Sequence, residues 1–233
     1  MRRLPEFLVV VVCVLSAAAY PSLPPLVVAD VSWLLPVSAP AREGSRLFIA
    51  ALLPLVLVLL LAAFRWATSL NGQAAMTRTL PSWIGTPSGH APEYEKFPAA
   101  LELIVLCVIA LVASIHFGFL ASALGWRGPI SMVVGLVFGG ALVAMGNVMP
   151  RLRPNPIAGL RSAAMLRDPI AWRAAHANFG RLWVLGGALV VVVALVAARY
   201  ALIAFLAVVL LSVIVAPLFT RRALHAQRVD AKE

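Results

Sequence analysis

Lysine is almost absent from this chain: Lys96 and Lys232 are the only two. Acidic residues number nine, and charged residues of all kinds make up 12% of the 233 positions, about half their share in a soluble domain. With 62% apolar residues and a mean hydropathy of +0.97, that scarcity excludes a soluble globular domain and a disordered chain. Cysteine is scarce too. Cys13 and Cys107 both sit in apolar runs, offer no CxxC or Cys/His ligand spacing, and read as small buried hydrophobes. GxSxG, HExxH, P-loop and GxGxxG signatures are missing, paired carboxylates are missing, and His90, His116, His176 and His225 are dispersed. No enzyme, metal or cofactor is implied.

What is present is apolar sequence in blocks of membrane-spanning length. The expected fold is an all-α membrane bundle of six spans. The first runs from Phe7 to Val28, the second is Leu47–Phe64, the third Ala99–Leu124 and the fourth Ile130–Met149. The last block, Leu182 to Phe219, would reach roughly 57 Å as one helix, against a hydrocarbon core of about 30 Å. It must fold back, and Arg199–Tyr200 is its only polar pair. The first span also resembles a signal peptide, with Arg2-Arg3 before it and Ser16-Ala17-Ala18-Ala19 preceding Tyr20; apolar character beyond Ala19 favours a retained span.

The net charge of +10 flanks the apolar blocks, so it is read as topology rather than nucleic-acid binding. With both termini in the cytoplasm, 15 of the 19 basic residues lie inside; only Arg42, Arg46, Arg127 and Arg199 lie outside. The chain then divides into a two-span unit (1–65) with a proline-rich outer loop (20–46), a linker (66–97), and a four-span unit (98–233) carrying an inner loop (146–181). Trp33 and the leucines suggest that the outer loop lies against the membrane surface.

In the inner loop, Asp168-Pro169 is a helix start. The following Pro169–Phe179 segment puts Trp172, His176 and Phe179 on one face, which reads as an interfacial amphipathic helix feeding the fifth span or, favoured by periodicity alone, as an ordinary juxtamembrane helix with basic snorkelling residues. Glu102 and His116 lie within the third span, four turns apart, so they cannot touch. Glu102 reads as reaching the interface, and His116 as a hydrogen-bonded structural residue with Ser114 and Ser122 near it in sequence. Glycines 135, 139, 140, 146, 186 and 187 would permit close helix packing.

One constellation is denser: Gly146, Asn147, Met149, Pro150, Arg151, Arg153 and Asn155, then Gly159 and Arg161, then Trp172, His176 and Gly180. The asparagines can satisfy backbone groups freed where prolines end a helix. The arginines can clamp a phosphate or carboxylate. A preformed binding loop and a rigid turn at the lipid headgroups are equally open from the residues alone.

This stretch resembles the SdpI family of bacterial membrane proteins. Gly146, Asn147, Met149, Pro150 and Asn155 match the family's G-N-x-M-P-K-x-x-x-N, with Arg151 for lysine; Gly159, Arg161, Trp172, His176 and Gly180 match its continuation. Tyr20, Pro21 and Pro24 match the family's Y-P-x-L-P outer region, where Asp30 stands in place of a histidine. Ser162–Leu166 replaces a T-P-W-T-L block, which implies an altered contact there. The resemblance implies a bilayer-embedded protein of the cytoplasmic membrane that protects against a peptide toxin met from outside. It also implies a transcription repressor bound inside, with Arg151 to Arg181 as its docking surface. The residues leave two alternatives: a transporter using Glu102 and His116, and an enzyme on lipid headgroups using Asn147, Asn155, Arg161 and His176.

Overall fold

A computed structural model describes residues 3–29, 33–34, 42–69, 98–126, 128–155, 158–160, 165 and 168–230. Six long helices carry the chain: α1 (Leu4–Ala19), α2 (Arg46–Thr68), α3 (Pro98–Ala123), α4 (Ile130–Val148), α5 (Pro169–Val196) and α6 (Ala201–Asp230). All six correspond to segments long and apolar enough to cross a membrane, so the chain is a multi-pass membrane protein. The reversal expected at Arg199–Tyr200 is there, as a single 3-10 turn over Ala198–Tyr200. A charged residue next to an aromatic one is easier to place in an interface than in hydrocarbon.

The first span is shorter than expected. Its helix ends at Ala19, Tyr20–Ser22 makes a 3-10 turn, and Leu26–Ala29 forms strand β1. Strand β1 pairs antiparallel with β2 (Arg42–Ser45), Leu26 opposite Ser45 and Ala29 opposite Arg42. Pro21, Pro24 and Pro25 stop a helix from continuing, and the apolar LVVA run then pairs as a strand. Val27 and Leu23 are buried against Ala50 of α2 and Leu120 of α3, so the hairpin caps this end of the bundle. Ser45 N-caps α2 by accepting from the Phe48 N–H at 3.2 Å.

Helix α3 is the common wall. With α1 and α2 it encloses Val9, Val12, Leu57, Val105 and Ile109. With α4, α5 and α6 it encloses a larger core around Phe138, Leu142, Met145 and Val190. It ends as its sequence dictates: Gly125 takes φ +78, the Trp126 N–H bonds Ala121 O and the Gly125 N–H bonds Ser122 O. This glycine-dependent stop turns the chain straight into α4. Large apolar residues left outside, such as Leu55, Leu59, Leu189 and Leu210, face what in a membrane is lipid.

Helices α4 and α5 pack backbone to backbone. A Cβ on Gly146 would stand 2.6 Å from Gly180 O, and one on Gly139 would stand 2.7 Å from Gly187 O. Both pairs obey one antiparallel register, seven residues apart on each helix. Small residues at that spacing let helices approach where lipid provides no hydrophobic drive. The glycines read as packing residues do pack here, except Gly140, whose added Cβ would meet nothing within 4 Å.

Candidate functional site

Helix α5 has 28 residues and α6 has 30, about 42 and 45 Å long at 1.5 Å per residue. Both outrun a hydrocarbon core of about 30 Å. The Gly146–Gly180 contact marks where α4 stops, so the first three turns of α5 and the last turns of α6 extend past it. Residues 149–155, 158–160 and 165 lie over this projecting pair and make a cap.

The cap explains the dense motif. Asp168 N-caps α5, its carboxylate accepting from the Ile170 and Ala171 N–H groups at 3.0 and 2.9 Å. Trp172 is 1% exposed and His176 is fully buried; their rings stack at 4.0 Å. The Trp172 indole N–H donates to Leu152 O at 2.7 Å, fixing the chain just after α4. His176 uses both nitrogens. Its Nε2 accepts from the Leu160 N–H at 3.0 Å, and its Nδ1 lies 2.8 Å from Trp172 O. A backbone N–H can only donate and a carbonyl can only accept, so these partners assign the neutral Nδ1–H ring. Asn155 accepts from the Ala158 N–H and donates to Arg153 O, both at 2.8 Å. Met165, Ala171, Trp172, Ala175 and Ala223 close the cluster.

Gly159 adopts φ +109, and a Cβ there would run into His176 Nε2. Only glycine lets the loop pass this close to the histidine. Gly159→Ala is expected to lower stability by about 1–3 kcal/mol and to break the Leu160–His176 bond, read by thermal unfolding in detergent and by the His176 ring NMR shift.

The structure thus joins Met149, Pro150, Asn155, Gly159, Trp172, His176 and the Gly146–Gly180 contact into one brace. The polar atoms of Asn155, Trp172 and His176 are all engaged with the chain itself. Asn147 is exposed on α4, apart from the brace. Arg151, Arg153, Arg173, Arg181, Arg221 and Arg222 are exposed around it; Arg181 also reaches Asn178 Oδ1 at 3.3 Å. Arg161 and Asp30 lie outside the described residues. The Trp172/His176/Phe179 face is buried under the loop and against α6, which corrects the expectation of a membrane-surface helix; α5 runs unbroken into the fifth span.

Two further polar clusters sit in the α1–α2–α3 unit. Arg65 binds both oxygens of Glu102 and, through Nε at 2.7 Å, Glu6. Glu102 is therefore paired across helices instead of simply reaching the interface. His116 is fully buried, and its partner is Ser16 of α1 at 2.9 Å, not Ser114 or Ser122. Ser16 in turn donates to Ala50 O at 2.6 Å. Sequence reading missed Ser16 and Arg65 as partners; the only signal was a polar or charged residue isolated in an apolar run. At the hairpin end, Arg46 lies over the Tyr20 ring at 4.7 Å, and Pro21 and Pro24 are exposed.

The SdpI/YfhL protein family model matches residues 151–220, which covers the cap loop, α5 and most of α6. The chain is 25% identical over 124 residues to the immunity protein SdpI of Bacillus subtilis (strain 168). That match covers 53% of this chain and 60% of the relative. No solved structure matches. The motif read in the sequence, the cap it builds and the match to the SdpI/YfhL protein family model fall on the same segment, residues 151–220.

Proposed function

We propose that this protein is a non-enzymatic immunity protein of the cytoplasmic membrane that protects its cell against a membrane-active peptide. The observation that carries the reading is the coincidence of the family match, residues 151–220, with the braced cap. The polar groups of Asn155, Trp172 and His176 are spent on holding that cap, which suits a rigid presenting surface better than a reaction centre. The excess of basic residues on the loops of that side supports a cytoplasmic cap. Its exposed arginines then form the surface on which a repressor or another acidic partner docks, while the β1–β2 end meets the peptide. Transport has less support: Glu102 and His116 belong to separate clusters that do not meet. Lipid-headgroup chemistry lacks a nucleophile, and His176 is buried.

The test is survival of a peptide-sensitive host expressing the chain, challenged with membrane-active peptides at confirmed membrane expression. Protection by the wild type is expected, with loss in an Asn155→Ala/Trp172→Ala variant at matched expression. Unchanged killing of cells that carry the wild type contradicts the reading.

A further inference from the structure

The close approach of α4 and α5 sorts their side chains by face. In an antiparallel pair, the residues that follow two contacting positions turn to one side, and the residues that precede them turn to the other. Met145 and Phe179 precede the Gly146–Gly180 contact, and Phe138 and Gly186 precede the Gly139–Gly187 contact; all four are buried. Asn147 and Arg181, with Gly140 and Ala188, follow those contacts, and all four are exposed. The seam therefore has a core face and an open face. On the open face Asn147 and Arg181 stand on neighbouring helices, within about 3 Å of each other along the axes.

Their level is the edge of the hydrocarbon. The run from Leu182 to Ala198 carries no charge and spans about 26 Å at 1.5 Å per residue, close to a hydrocarbon core of about 30 Å. Arg199 closes it at one end and Arg181 at the other. Leu185, one turn deeper on the same side of α5, is exposed like the other lipid-facing residues. An arginine so placed lays its stem along the bilayer and puts its guanidinium among the headgroups. That group has five donors, and among the described residues Asn178 Oδ1 accepts from it at 3.3 Å. Neither α4 nor α5 contains an acidic residue. Arg151, exposed in the turn that continues α4, adds more positive charge at this end.

The geometry points to a binding site for an anionic phospholipid on the open face of the α4–α5 seam, its phosphate held between the Arg181 guanidinium and the Asn147 amide. Depth selects the occupant. A soluble acidic protein meets residues beyond the headgroups, such as Arg173, about 12 Å farther out along α5. A phospholipid already carries its phosphate at the level of Arg181. Charge selects among lipids. A net-negative headgroup meets arginines alone, whereas a zwitterionic one brings its own cation towards Arg151 with no acid on either helix to receive it. The site stands independently of the immunity reading.

The test is native mass spectrometry of the full chain released from nanodiscs that hold equal phosphatidylglycerol and phosphatidylcholine with matched acyl chains. Phosphatidylglycerol is expected to be retained about fivefold over phosphatidylcholine. An Arg181→Gln/Asn147→Ala variant should lose most of that preference. Arg173→Gln removes the same charge farther from the bilayer and should keep most of it. Arg181→Lys, which keeps the charge and loses the fork of donors, should fall between, and it serves in place of the double variant should that one not fold. Equal retention of the two lipids by the wild type, an unchanged ratio in the folded Arg181 variants, or an equal loss in Arg173→Gln overturns the proposal. So does displacement of the lipid by glycerol phosphate or by a glutamate-rich peptide, which would place the occupant in water.

Discussion

Trp172→Ala is expected to destabilise the cap by about 3–5 kcal/mol, the usual effect of removing a large buried aromatic. Three losses coincide. The ring leaves a void among Met165, Ala171, Ala175 and Ala223. His176 loses its stacking partner. Leu152 O loses its donor in a buried place. Trp172→Phe separates these effects: most packing survives, and the unpaired carbonyl alone should lower stability by about 1–3 kcal/mol. Thermal unfolding of both variants in detergent, with limited proteolysis between residues 150 and 168, checks the order. A Trp172→Ala protein as stable and as resistant as wild type would remove the brace from the account.

The second large effect lies at the α4–α5 crossing. Gly146→Ala puts a methyl 2.6 Å from Gly180 O, so the helices must separate, at about 1–3 kcal/mol or more. Gly180→Ala meets Gly146 O from the other side at 2.5 Å. The two act on one contact, so the double variant should lose less than the sum of the singles. Gly140→Ala, six residues away on the same helix, meets nothing. It should be neutral or stabilising by up to about 1 kcal/mol through better helix propensity. Denaturation midpoints for the four proteins decide the matter. Equal losses at 140 and 146 would mean that the close approach is unimportant.

How much of this was legible beforehand follows from the range of each interaction. The six spans and the Arg199–Tyr200 reversal depend on local hydropathy, and the sequence displays it directly. The Asp168-Pro169 helix start is local too. The β1–β2 hairpin was hidden because LVVA reads as the continuation of an apolar helix, and its partner strand, REGS, has no strand pattern. Ser16 lies 100 residues from His116, and Glu6 lies 59 from Arg65. Periodicity gives the face a residue occupies, but not which distant helix meets it. The Trp172/His176 face was visible as a stripe. Its cover was not, because the covering loop is held by Asn155 and Gly159, whose roles depend on backbone geometry rather than on hydropathy. The resemblance singled out Met149, Pro150, Asn155, Gly159, Trp172 and His176, which meet in the cap, while leaving open whether they bind or brace.

The most direct measurement is amide hydrogen exchange at Ala158 and Leu160 in the full-length protein, held in nanodiscs. These two N–H groups are bonded to Asn155 Oδ1 and His176 Nε2, so a closed cap should slow their exchange by orders of magnitude, together with the first turns of α5. Exchange at the rate of an open chain would contradict the brace, and would return the motif to the status of an exposed loop free to bind.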